Sequence, residues 1–300
     1  MPAQMKQGSV TNRAAAWLLG IAILAALGWL GAAHLGGPYA MSAQMRAALG
    51  GAALAAAATA LGTVPVLLAQ SYSQRSYDSF LGFGAGVMLG ATAFSLVVPA
   101  LQAARASGAT PVHASLTIGA GIACGALLIV ALGRLVHAQV DAGPPDAASV
   151  AAQGYRRVWL FIAAITLHNL PEGLAIGVAY AGADIERAHA LATGIAIQDV
   201  PEGLVVALAL RSVGYGRWFA AGMGVLSGLV EPVAAVAGVA LISASAGLLP
   251  IGLAAAAGAM LYVIVHEVIP ASHGKGNGAW ASTALVAGFI VMTVLDTGMA

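Results

Sequence analysis

The chain has 300 residues, of which 60% are hydrophobic and 8% charged, with a net charge of +1 and a mean hydropathy of +0.90. Charged residues make up about a quarter of a soluble globular protein, so this balance excludes one and predicts a single all-α polytopic membrane protein. The near-neutral charge, without a basic run, excludes a nucleic-acid partner; the lone Cys124 excludes an internal disulfide or a cysteine metal site and reads as a small packing residue.

Residues 1–13 are polar, with Lys6 and Arg13, and an apolar run follows to about His34. A charged start before an apolar stretch is also the pattern of a signal peptide. At about 20 residues the run is long enough to span, so a retained helix is expected. Further apolar runs fall at about 47–70, 79–104, 113–138, 156–182, 188–210, 216–243, 247–270 and 277–298. The reading is therefore an N-terminal segment, 1–46, with one extra helix, and a main domain, 47–300. The interval 139–155, with Asp141, Pro144, Pro145 and Asp146, reads as a flexible connector.

Alternating spans with the N-terminus inside put Lys6, Arg13, Arg75, Arg134, Arg156, Arg157, Arg211, Arg217 and Lys275 on the cytoplasmic side. Arg46, Arg105 and Arg187 fall outside. Nine against three satisfies the positive-inside rule, makes the 139–155 connector cytoplasmic and leaves the C-terminus outside.

Two hexads lie inside these apolar runs: His168-Asn169-Leu170-Pro171-Glu172-Gly173 and Gln198-Asp199-Val200-Pro201-Glu202-Gly203. On a helix His168 shares a face with Glu172, and Gln198 with Glu202. Each proline lacks an N–H, which frees the carbonyls of Leu167 and Ile197 and predicts a kink. Counted from the span ends, both hexads, Glu231 and Met88 reach a common middle band. Glu172, Glu202, Glu231 and Asp199 are then carboxylates at a depth where a charge costs about 2.5–3.5 kcal/mol or more. No Lys or Arg shares that band. The balancing charge must be protons or metal, and four carboxylates would balance two divalent ions.

Imidazole with carboxylate and amide oxygens suits Zn, Fe, Mn or Cd better than Ca or Mg, and Met88, unless it is only a packing residue, would add a thioether. A site poor in thiolate should release its ion, which suits transport. His266 and Glu267 fall near the cytoplasmic end of their span, where they either receive an exiting ion or stay hydrated at the headgroups. Asp296, at the outer end of the last span, reads as a solvated helix end or an attractor of incoming cations. Asp78 beside Arg75 reads as a surface charge. His266-Glu267 begins a zincin pattern, but Pro270 stands where the second His belongs, and phosphate-binding motifs are absent.

The paired hexads resemble those of the ZIP (Zrt-, Irt-like protein) metal transporters, and the likeness extends from about residue 47 onward. The resemblance implies an eight-helix bundle of 3+2+3 plan with an inverted repeat, here preceded by the extra N-terminal helix. It implies uptake of Zn(II), and of Cd(II), Fe(II) or Mn(II), across the bacterial inner membrane. It also implies a homodimer and an elevator-like alternating access. By resemblance His168, Glu172, Gln198, Glu202 and Met88 form a first metal position. Asn169 and Asp199 belong to a second, with Glu172, Glu202 and Glu231 bridging or shared. Gln198 stands where many members place His, which softens the metal preference, and the connector lacks the family's His-rich run. No cofactor and no enzymatic activity are expected; a metal-selective channel or a membrane metalloenzyme built on His168 and Glu172 are the alternatives.

Overall fold

The computed structural model describes residues 42–68, 73–141, 150–182, 184–274 and 276–299, all in helices and the turns between them. The expected helix within 1–46 and the middle of the connector lie outside these residues. Among the described residues eight helices are long and apolar enough to cross a membrane: α1 (Ala43–Leu68), α2 (Gln74–Ala106), α3 (Pro111–Asp141), α4 (Val150–Ala181), α5 (Ile185–Ser212), α6 (Arg217–Ala244), α7 (Leu249–His273) and α8 (Gly278–Met299). Helix reaches Asp141 and resumes at Val150, so less of 139–155 is connector than its composition suggests. Turn residues close the spans. Asp184 caps α5 by accepting the Arg187 N–H at 3.1 Å, and Gly108, Gly214 and Gly276 adopt φ near +90° in the turns that follow α2, α5 and α7.

The helix pairing has an internal symmetry. The most extensive pairs are α2 with α8, α1 with α5, α4 with α6, and α3 with α7. Exchanging α1–α3 with α6–α8, and α4 with α5, maps this set onto itself. Because α1 and α6 are five spans apart, they cross in opposite directions, so the repeat is inverted. The plan is 3+2+3, as expected.

The symmetry reaches the backbone. α2 widens to a π segment at Ala91–Val97 and α7 at Ile264–Val268. Each is followed by a proline, Pro99 and Pro270, whose ring would strike the carbonyl four residues back. The chain avoids the clash by shifting to bonds five residues back, Val98 N–H to Ala93 O and Ile269 N–H to Ile264 O.

The eight helices form two groups of four: α1, α4, α5, α6 and α2, α3, α7, α8. Within each group helix backbones touch. A Cβ on Gly62 or Gly177 would land on the carbonyls of Val200 or Ala235 in the first group; on Gly86 or Gly125 it would land on those of Leu285 or Ala255 in the second. Between groups the glycines Gly84, Gly194 and Gly252 meet side chains instead. Small residues let helices approach where no hydrophobic drive exists between them, so each group is packed more intimately than the seam that separates them.

Two residues differ from expectation. Asp78 is fully buried, accepting from Gln74 Nε2 at 2.6 Å and Asn277 Nδ2 at 2.8 Å, and so ties the start of α2 to the α7–α8 turn. Cys124 is exposed on α3 rather than packed.

Candidate metal site

The site is built where α4, α5 and α6 converge. α4 and α5 run as helix through Pro171 and Pro201, placing the two hexads against each other. The last residue of each hexad lets its helix come close to a third one. A Cβ on Gly173 would collide with the Glu231 backbone of α6, and one on Gly203 with the Thr59 carbonyl of α1. α6 is interrupted at Leu229, between Ser227 and Glu231, and Pro232 follows.

Two clusters result among the described residues, each with ligand atoms within 4.8 Å of one another: His168, Glu172 and Glu202, then Glu172, Asp199 and Glu231. His168 Nε2 lies 3.1 Å from Glu172 Oε1 and 3.8 Å from Glu202 Oε2. The Gln198 amide donates to Glu172 Oε1. Asn169 Nδ2 donates to the Ser227 carbonyl at 3.0 Å, which leaves its Oδ1 without a partner.

Among the described residues, nine buried atoms at this site have no hydrogen-bond partner: Nε2 of His168, Oδ1 of Asn169, Oε2 of Glu172, Oε1 of Gln198, both oxygens of Asp199, Oε1 of Glu202 and both of Glu231. Nearly all buried polar groups in proteins are paired, and burying carboxylates unpaired is prohibitive. The eight oxygens carry lone pairs, as does His168 Nε2 when the imidazole is protonated on Nδ1, so another acceptor would repel them. A cation, whether proton or metal, satisfies them.

The expected residues therefore meet. Glu172 alone is common to both clusters, where the resemblance also gave Glu202 and Glu231 a shared part. Met88 of α2 is buried beside His168, Gln198 and Glu202 in the wall of a cavity that also touches Glu267. Phe80, Phe161 and Ala271 also line that cavity; all three lie toward the ends of α2, α4 and α7 on the connector side of the bundle. His266 points outward and stacks on Tyr262, with ring centroids 5.0 Å apart. Asp296 is not a solvated helix end: it is buried and accepts from Ser95 Oγ at 2.7 Å.

Sequence reading missed Ser227, which orients Asn169 through a backbone carbonyl, and Ser95, whose partner lies 201 positions away. The glycine closing each hexad was the available signal of close helix approach.

Comparison with known proteins shows the family. The ZIP Zinc transporter family profile matches residues 141–296. Zinc transporter GufA of Myxococcus xanthus is 42% identical over 260 residues, covering 85% of this chain and 100% of the relative. Zinc transporter ZIPB of Bordetella bronchiseptica is 43% identical over 256 residues, covering 84% and 81%. Zinc transporter ZIP11 of Homo sapiens is 35% identical over 320 residues, covering 80% and 94%. With a family match over half of its length and relatives above 40% identity over most of it, the chain belongs to the ZIP zinc transporter family.

Proposed function

We propose that the chain carries Zn(II), and related ions such as Cd(II), Fe(II) and Mn(II), across the bacterial inner membrane into the cytoplasm by alternating access. The observation that carries the reading is the set of nine partnerless lone-pair atoms at the convergence of α4, α5 and α6. Two ions share Glu172: one is held by His168, Glu172, Gln198, Glu202 and Met88, the other by Asn169, Glu172, Asp199 and Glu231. Four carboxylates and two divalent ions then cancel in charge. Every ligand but Met88 belongs to the α1, α4, α5, α6 group, so the ions can travel with that group past the other.

The cavity on the connector side reaches the first position and supports an inward-open arrangement, with Glu267 on the exit path and the outward-facing His266 off it. On the opposite side Arg187 of α5 donates to Gln102 of α2, a polar tie across the seam. The nine-to-three charge bias supports an N-terminus inside and a C-terminus outside. The relatives are named as transporters, which favours transport over catalysis. By family resemblance the working unit is a homodimer, open to chemical cross-linking in membranes.

The test is uptake by purified protein in liposomes loaded with a fluorescent chelator, across a panel of divalent ions. Rates no faster than protein-free liposomes would overturn the reading. A Gln102→Cys, Arg187→Cys pair on a Cys124→Ala background separates carrier from channel. Oxidation should stop a moving group and reduction should restart it, whereas a channel would keep conducting.

A further inference from the structure

An ion entering from the Ser95–Asp296 pair would have to cross an apolar layer before it reaches the site. Val87, Ala91, Leu191 and Ile195 are buried in one apolar cluster there, and Met292 belongs to it. Met292 is 0% exposed and stands four residues before Asp296, on the same face of α8. Its side chain fills a slot that two glycines leave open. A Cβ on Gly90 would stand 2.8 Å from Met292 Cβ, and one on Gly194 of α5 would meet its Sδ and, at 3.0 Å, its Cε.

The register places the sulfur. Gly194 is four residues outward of Gln198 on α5, and Gly90 two residues outward of Met88 on α2. Met292 Sδ is thus about one helical turn, roughly 5.4 Å, outward of the first metal position. It is also in contact with both helix groups at their seam. A second sign comes from Thr92, one turn outward of Met88. Its hydroxyl oxygen is buried without a partner, whereas Thr59, Thr166 and Thr293 return theirs to carbonyls of their own helices.

We propose that Met292 is a specificity-determining ligand of the outer path: its thioether, with the Thr92 hydroxyl, passes the ion from Asp296 to Met88 and Gln198. Leucine would fill the slot equally well, but the thioether adds a soft lone pair in a layer otherwise without one. Soft sulfur favours Cd(II) over Zn(II), and a neutral thioether holds an ion weakly enough to let it move on. The inference rests on the transport reading, with Asp296 at the entrance.

The experiment compares full-length protein with its Met292→Leu variant, a volume-conserving exchange that keeps the slot filled. Liposome uptake is measured with Cd(II) and Zn(II) in competition, and Zn(II) binding in detergent is measured alongside. The ratio of Cd(II) to Zn(II) uptake should fall about threefold to tenfold, less than the 10–100-fold typical of groups that support a resident metal. Zn(II) binding should stay as in the parent, because Met292 is outside the central clusters. An unchanged ratio, whether or not both rates drop, would reduce Met292 to an apolar plug and overturn this inference alone. Failure of the parent protein to take up either ion would overturn the transport reading and this inference with it.

Discussion

Replacing Glu172 by Gln keeps the volume and removes one charge from both clusters. Glu172 is 0% exposed, touches His168 at 3.1 Å and is the member common to the two sets of ligands. A divalent ion about 4 Å from a carboxylate gains roughly 8 kcal/mol at an effective dielectric constant of about 20. Most of that is offset by stripping water from both partners, and breaking a buried charge pair costs about 3–5 kcal/mol net. Zn(II) binding should therefore weaken by more than about hundredfold, at 1.4 kcal/mol per tenfold. Three carboxylates would remain against two ions, so one bound equivalent should also be lost. Isothermal titration in detergent against a competing chelator reads both the affinity and the stoichiometry. A dissociation constant within about threefold of the parent, with two ions still bound, would refute the shared role of Glu172 and the charge-balance argument.

Gly203→Ala should cost about 1–3 kcal/mol or more, because a backbone carbonyl cannot move aside for the methyl; the thermal midpoint should drop, while Gly119→Ala, with nothing within 4 Å, should leave it in place. Single cysteines at positions 142–149 on a Cys124→Ala background should be blocked by impermeant thiol reagents only after permeabilisation; blocking in intact cells would invert the orientation. Uptake at sub-saturating metal should rise between about pH 5 and 7, because metal must displace protons from the lone pairs that bind it. An apparent KM that stays flat over that interval would mean that protons do not compete for the site.

The sequence by itself determined the class and picked out most of the residues that meet at the candidate site. A hydropathy this high leaves backbone groups no partner but their own helix, so nine spans could be counted from the apolar runs, of which the eight that fall among the described residues are helices. Charges at mid-depth are costly enough that His168, Glu172, Asp199, Glu202 and Glu231 stood out without any structure. Proline and glycine in each hexad marked a special backbone, though not what it touched. Tertiary structure decided the rest, because those facts depend on which helices meet. Asp78 looked solvated beside Arg75, yet Gln74 and Asn277 enclose it. Asp296 looked like a helix end until Ser95, displaced by the π segment of α2, came within 2.7 Å. The division into two groups of four is equally invisible in one dimension. It arises where glycines meet a carbonyl in one neighbour and a side chain in another, and only the packed bundle supplies the neighbour.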